Sequence, residues 1–179
     1  MKKVLIMTPD IEGPVRNGGI GTAFTALATT LAKKGYDVDV LYTCGDYSES
    51  SASTFSDWSR IYSTFGINLL STGLVKEINI DAPYFRRKSY SILLWLKENN
   101  VYDTIISCEW QADLYYALLS KKNGTDFENT KFIVILIAQH YGLMKVITSS
   151  HMIRIILNSI IWRKWLLRWL MKSLVLLSI

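Results

Sequence analysis

Apolar residues fall along this chain in two alternating patterns, one typical of strands and the other of helices. Short apolar runs of strand length are followed by longer stretches in which apolar residues recur every three or four positions. Strands are predicted at 4–8, 38–42, 102–107 and 131–136, with one or two short ones within 67–82. Helices are predicted from Ile20 to Lys34, from Phe55 to Phe65, from Pro83 onward, and from Glu109 to Lys122. This alternation predicts an α/β fold with a doubly wound, mainly parallel sheet.

Local patterns within the helices predict where they end and which faces they bury. Gly35 and Gly124 follow the first and last predicted helices, at the position where glycine commonly ends a helix. One face of the 109–122 helix carries Trp110, Leu114, Ala117 and Leu118. The run Arg86–Arg87–Lys88 predicts a helix face that is exposed to solvent.

The composition predicts one folded domain rather than a disordered or nucleic-acid-binding chain. Half of the 179 residues are hydrophobic and 20% are charged, which suffices for one core and argues against disorder. The net charge of +5 is unevenly distributed along the chain. Residues 1–128 contain all 15 acidic residues, and the charged residues within 129–179 are all basic. Since the excess positive charge belongs to the C-terminal segment, the body of the chain gives no indication of a nucleic-acid partner.

The two cysteines, Cys44 and Cys108, indicate a reducing compartment. They form no Cys-x-x-Cys motif and have no neighbouring histidine, so their spacing predicts no zinc site. Two buried free thiols are the simplest interpretation. The apolar run after Lys2–Lys3 is too short for the core of a signal peptide. The sequence therefore predicts a cytoplasmic protein without a metal.

A glycine-rich loop between the first strand and the first helix is the strongest candidate for a binding site. The segment Asn17–Ala23 reads NGGIGTA and opens that helix. Such a loop brings main-chain amides against a phosphate at the carboxyl edge of a sheet. It departs from the nicotinamide fingerprint, because nine residues separate Thr8 from Gly18 and Phe24 stands at the third small position. It is also not a Walker loop, and a purely structural role, relieving crowding where the loop meets the sheet, stays open.

Two segments of the chain resemble retaining glycosyltransferases of the glycogen/starch synthase and family-four kind. The first, MKKVLIMTPDIEGPVRNGGIGTAFTALATTLAKKGYDVDVLY at residues 1–42, has that family's strand, long loop with Gly-Gly-x-Gly, and helix. The second, Ser107–Asp113, is similar to the family's His-Asp-Trp-Gln segment, with Cys108–Glu109 in place of His-Asp. The resemblance extends over residues 1–136. It implies the GT-B architecture, in which two Rossmann-like domains face each other across a cleft.

The resemblance also implies where the substrates lie. Gly18, Gly19 and Gly21 would lie near the phosphate and sugar of a nucleotide-sugar donor, with their amides stabilising charge on the leaving phosphate. The donor would be a substrate, no other cofactor and no metal are implied, and the acceptor would be a glycan or another molecule.

Four further residues are candidates for the acceptor side. The resemblance implies that Glu109 and Trp110 lie there, although Trp110 is equally explained as an apolar anchor of its helix. Asp10 and Glu12 lie in the loop after the first strand, where they would touch an acceptor sugar or, more simply, be solvated carboxylates.

The resemblance stops at about Leu136, which divides the chain into a family-like domain, 1–136, and a basic hydrophobic tail, 137–179. The longest uncharged run that extends into this tail, residues 132–144, is too short for a membrane span, which needs about 20 residues. A cationic surface helix would give non-specific membrane association. The third interpretation is translation in the wrong frame. Reading from the third base of the Ile135 codon allows a family-like continuation, in which Met144–Lys145 must give Glu.

These observations together predict the N-terminal, acceptor-side domain of a retaining glycosyltransferase, truncated and inactive alone because the donor-binding half is missing. Two alternatives stay open at this point. One is a fragment of a Rossmann-type, dinucleotide-binding oxidoreductase, and the other is a membrane-surface protein that uses its basic tail.

Overall fold

The computed structural model describes residues 2–14, 18–45, 53–74, 78–137 and 144–148, with only the backbone of 136–137 and 144–148. Six strands in this part of the chain form one sheet, in the order β3-β2-β1-β4-β5-β6. They are β1 Lys3–Thr8, β2 Asp37–Tyr42, β3 Ile67–Ser71, β4 Thr104–Cys108, β5 Lys131–Ile137 and β6 Met144–Thr148. The first five are parallel, and β6 is antiparallel to β5. The predicted fold class, a mainly parallel Rossmann-like sheet, is confirmed.

Among the described residues, four α-helices cover the two faces of this sheet: α1 Gly19–Lys33, α2 Phe55–Thr64, α3 Tyr84–Glu98 and α4 Tyr115–Lys122. Alternate residues of β1 point to opposite faces, so Val4 and Ile6 pack with α1 and α2, whereas Leu5 and Met7 pack with α3 and α4. The residues buried at these positions are almost entirely apolar, which gives the sheet a core on each side.

Short-range signals in the sequence account for the helix ends. Gly35 and Gly124 follow α1 and α4 with φ values of +82° and +67°, as predicted for glycines that end helices. At the start of α2 the Thr54 hydroxyl accepts a hydrogen bond from the Asp57 amide, and the Asp57 carboxylate accepts one from the Thr54 amide. This reciprocal cap satisfies amides that the helix itself cannot pair.

Within the described residues the 67–82 segment has one strand, β3, in agreement with the prediction of one or two. After β3 the chain makes a short 3₁₀ turn at Thr72–Leu74, and residues 78–80 form no strand. The predicted 109–122 helix, in contrast, is wrong in its first half. A 3₁₀ turn, Trp110–Ala112, comes first, and α4 begins only at Tyr115.

The predicted domain boundary at 136/137 falls at the end of β5, and β6 lies in the predicted tail. The remainder of that tail, residues 138–143 and 149–179, lies outside the described residues, as do Asn17 and residues 46–52. The out-of-frame origin of the tail stays a prediction. Among the helices that are described, none combines the length and the apolar character needed to cross a bilayer.

Candidate functional site

The order of the strands places a crevice between β1 and β4. These two strands are neighbours, but the chain leaves β1 toward α1 on one face of the sheet and leaves β4 toward α4 on the other. In open α/β sheets such a reversal opens a crevice at the carboxyl ends of the strands, where ligands bind. Asp10, Glu12 and the glycine loop follow β1, and Glu109 and Trp110 follow β4. The structure therefore brings all the predicted site residues to the same edge of the sheet.

Asp10 is the residue that organises the glycine loop. Its own backbone is fixed by the buried Thr8, whose hydroxyl donates to the Asp10 carbonyl at 2.6 Å and accepts from the Asp10 amide at 3.3 Å. The Asp10 Oδ2 atom accepts hydrogen bonds from the amides of Gly18, at 3.1 Å, and Gly21, at 3.0 Å. A carboxylate at the N-terminus of α1 is also favoured by the helix dipole.

The second oxygen of the same carboxylate, Oδ1, accepts no hydrogen bond from the described residues, although it is buried. A buried carboxylate oxygen without a donor is unfavourable unless a ligand or water supplies one. Asp10 therefore has one oxygen that holds the loop and one that has no donor among the described residues.

These bonds bear directly on the predicted phosphate contacts. The amides of Gly18 and Gly21 already donate to a carboxylate, so a phosphate could reach them only by displacing Asp10. Gly19 is exposed, and a Cβ atom built on it would meet nothing within 4 Å. Gly19 thus lies open to solvent, and the role of the three glycines toward a donor stays a prediction.

The segment before the glycine loop is held against both α1 and α2. The Glu12 amide donates to Thr25 Oγ1 at 3.0 Å, and the Tyr62 hydroxyl donates to the Glu12 carbonyl at 2.7 Å. Burial raises the pKa of Tyr62 to about 12. Gly13 follows with a φ of +117°. A Cβ atom built on Gly13 would lie only 2.4 Å from the nearest atom of the Trp58 ring, so no side chain fits there.

The backbone of Glu12 is therefore fixed, while the residue is exposed. Glu12 is one of the residues that line a groove of about 380 Å³ between α1 and α2. Whether its carboxylate touches an acceptor stays a prediction.

The turn after β4 contains two residues in a conformation that is unusual for side chains other than glycine. Gln111 and Ala112 have φ values of +60° and +54°. The Ala112 amide closes the turn by donating to the Glu109 carbonyl at 3.1 Å. As a result Trp110 packs partly buried on the α1 face of the sheet, whereas Leu114, Ala117 and Leu118 are buried on the α4 face. The prediction that these four residues share one face is wrong.

Lys88 corrects another prediction, because it does not belong to a solvated charge run. Its side chain is 8% exposed and its Nζ lies 3.1 and 3.3 Å from the two carboxylate oxygens of Asp113, which is 1% exposed. Nζ also donates to Gln111 Oε1 at 2.6 Å. Burial raises the pKa of Asp113, and the Lys88 charge opposes that shift. Sequence reasoning missed this pair, because no local pattern in the sequence indicates that residues 88 and 113 lie together.

The two cysteines lie at the same edge in different surroundings. Cys108, the last residue of β4, is buried, and burial raises the pKa of its thiol to about 12. Cys44 is exposed, contrary to the prediction of two buried thiols, and its Sγ donates to the Pro9 carbonyl at 3.1 Å. Within the described residues no group of three side chains could hold a metal ion.

Comparison with known proteins does not assign this chain to a family. No family model matches it, and no curated protein is significantly similar to it. Among solved structures it is similar to an uncharacterised protein from Alicyclobacillus acidocaldarius, with 9% sequence identity and a TM-score of 0.37, over 83% of this chain and 78% of that one.

Proposed function

We propose that this chain is the acceptor-side half of a retaining GT-B glycosyltransferase. The complete enzyme would transfer a sugar from a nucleotide-sugar donor to a glycan or another hydroxyl-bearing acceptor. The donor-binding half would lie outside these 179 residues, so we expect no sugar transfer by this chain alone. Transfer between two bound substrates depends on holding both in one geometry, which needs both sides of the cleft.

One observation carries the proposal: the divided carboxylate of Asp10 at the β1/β4 crevice. Oδ2 holds the Gly18 and Gly21 amides, and the buried Oδ1 has no donor among the described residues. A sugar hydroxyl is a suitable partner, because it donates one hydrogen bond to a carboxylate without bringing negative charge. Asp10 thereby favours a neutral acceptor at this position over a phosphate.

The same observation weighs against the dinucleotide-binding alternative. A Rossmann-type site places a pyrophosphate on the first-helix N-terminal amides that follow β1. In this chain the corresponding amides of Gly18 and Gly21 donate to Asp10, so a second anion there would be repelled. The same repulsion counts against the predicted contact of these two glycines with a donor phosphate, so the proposal rests on the acceptor side.

The first experiment is to sequence the coding DNA through codon 135 and beyond. An alternative frame that continues into a second Rossmann-like half supports the proposal, whereas stop codons within a few triplets contradict the out-of-frame interpretation. The product of the continuous frame is then assayed for transfer with a panel of nucleotide sugars and acceptors. Tight NAD(P) binding measured by calorimetry, without transfer, would favour the oxidoreductase alternative.

An Asp10→Asn substitution tests the role of the free oxygen. Asparagine retains one oxygen for the two glycine amides but replaces the other with a donating NH₂ group. We expect the KM for the acceptor to rise about tenfold or more, the equivalent of one lost hydrogen bond to a charged group. Asp57→Asn, at the exposed cap of α2, is the matched control and should leave KM unchanged. An unchanged KM for Asp10→Asn contradicts the assigned role.

A further inference from the structure

We infer that Lys88 is a positioning residue for this site, which holds the turn after β4 in the one conformation that directs Trp110 toward the α1 side. The inference rests on the proposed function of the carboxyl edge. Lys88 acts through Gln111 and Asp113 and has no need to touch a substrate itself.

The turn needs stabilising contacts from outside, because its own residues disfavour its backbone conformation. Gln111 and Ala112 are consecutive, neither is glycine, and both have φ near +60°. Side chains with a Cβ rarely adopt this conformation, and they keep it only where the surroundings enforce it. Such residues are concentrated at functional sites, where the strained geometry serves binding or chemistry.

The ammonium group of Lys88 supplies these contacts. It donates to Gln111 Oε1 at 2.6 Å and to Asp113 Oδ2 at 3.3 Å, and Asp113 Oδ1 lies 3.1 Å away as an ion-pair contact. These acceptors belong to residues on either side of Ala112, so one side chain fixes both ends of the strained dipeptide. Because the Lys88 and Asp113 side chains are buried, water competes little for the ion pair, whereas the contact to Gln111 lies at the surface.

General stabilisation of the α3–α4 contact does not explain the arrangement. That contact already has its own connection, since the Ser89 hydroxyl donates to the Asp113 carbonyl at 3.0 Å and accepts from the Tyr116 amide at 3.2 Å. Buried ion pairs are commonly no more stabilising than apolar residues of the same volume. If Lys88 and Asp113 were replaced by apolar residues, the hydrogen bond to Gln111 inside the turn would be lost. That hydrogen bond therefore distinguishes Lys88 from a residue that only stabilises the packing of α3 on α4.

The conformation of the turn decides on which face Trp110 lies. A regular helix from Glu109 onward, as the sequence pattern predicts, would place Trp110 on the face shared by Leu114 and Leu118. The two left-handed residues instead leave Trp110 packed on the α1 face and Leu114 on the α4 face. Lys88 therefore selects between two conformations of Glu109–Asp113, one of which presents Trp110 on the side of the glycine loop.

The buried thiol of Cys108 reports on this turn, because the Trp110 amide lies against it and opposes the rise in its pKa. The experiment uses the 179-residue chain with Cys44→Ser, which leaves one thiol, and measures its reaction rate with Ellman's reagent under native conditions. Lys88→Met keeps the length of the side chain without its charge, Lys88→Arg tests conservative rescue, and Ser89→Ala is the matched control on α3. Gln111→Leu removes the 2.6 Å contact while leaving the ion pair, in case Lys88→Met does not fold.

We expect Lys88→Met to speed labelling of Cys108 about tenfold and Gln111→Leu about threefold, because the turn opens locally. Lys88→Arg and Ser89→Ala should remain within about twofold of the parent chain, since the turn contacts are kept. Equal rates in Lys88→Met and the parent, or equal acceleration by Ser89→Ala, would overturn the inference. These rates do not depend on sugar transfer, so failure of the proposed function would be seen separately.

In the enzyme with both halves, Lys88→Met should raise the KM for the acceptor, with a smaller change in kcat, and Lys88→Arg should restore it. An unchanged KM alongside faster labelling would show that the turn is held by Lys88 but does not position the acceptor, which would also refute the inference.

Discussion

Gly13 offers the sharpest test of how the site loop is held, because two separate effects forbid a side chain there. Its φ of +117° lies in a region that essentially only glycine adopts, and the Trp58 ring would lie 2.4–2.7 Å from an added Cβ. Gly13→Ala should lose about 1–3 kcal/mol to backbone strain. The overlap with the ring should add a further loss of about 1–3 kcal/mol.

We therefore expect Gly13→Ala to lower the free energy of unfolding by about 2–6 kcal/mol, a large share of the ~5–15 kcal/mol typical of a domain. Urea unfolding followed by circular dichroism measures this loss as a lower midpoint at constant slope. Gly19→Ala is the matched control, because its Cβ would meet nothing within 4 Å. At the start of α1, alanine should stabilise by up to about 1 kcal/mol.

A double-mutant cycle separates the two effects. In a Trp58→Leu background the ring is removed and the backbone strain is kept, so Gly13→Ala should be about 1–3 kcal/mol less harmful there than in the parent chain. An equal loss in both backgrounds would refute the ring contact. A Gly13→Ala protein within about 1 kcal/mol of the parent would refute both causes.

Three other predictions concern the Asp10 carboxylate, the ionisation of Tyr62 and the activity of the chain alone. Asp10→Ala should destabilise the chain by about 1–2 kcal/mol, as for the loss of a helix cap, whereas Asp10→Asn should be nearly neutral because asparagine caps equally well; equal urea midpoints for both variants would contradict this. Because burial raises the pKa of Tyr62 from 10.0 to about 12, its unfolded form releases the proton first, so its contribution to stability is complete below pH 10 and falls between pH 10 and 12. Urea midpoints should decline more steeply over that range in the parent than in Tyr62→Phe, and parallel declines would contradict the assignment. The 179-residue chain should show no sugar transfer with any nucleotide sugar, and turnover by the purified chain would refute the requirement for a second half.

The elements that the sequence predicts well are those set by local patterns. β1, α1 and β2 follow from strand-length and helix-length spacing of apolar residues, and Gly35 ends α1 because the position requires a positive φ. Such signals lie within a few residues of the structure that they determine.

The features that the sequence did not predict depend on contacts between distant residues. Nothing near Lys88 indicates that Gln111 and Asp113 lie beside it, and without that contact the 109–122 pattern indicates an uninterrupted helix. Asp10 likewise gives no local sign that it will accept from the Gly18 and Gly21 amides. The candidate site was located by pattern and resemblance, but its internal hydrogen bonds required the three-dimensional structure.

The position of β1 between β2 and β4 has a consequence for synthesis of the chain on the ribosome. Val4 and Ile6 pair with Val38 and Val40 on one side but with Thr104 and Ile106 on the other, about a hundred residues later. Until that later segment emerges, one edge of this buried strand has no hydrogen-bonding neighbour and is open to pairing with other nascent chains. A nascent chain that stalls before residue 104 should therefore bind chaperones strongly. The crevice between β1 and β4 also forms only when β4 has been synthesised and pairs with β1.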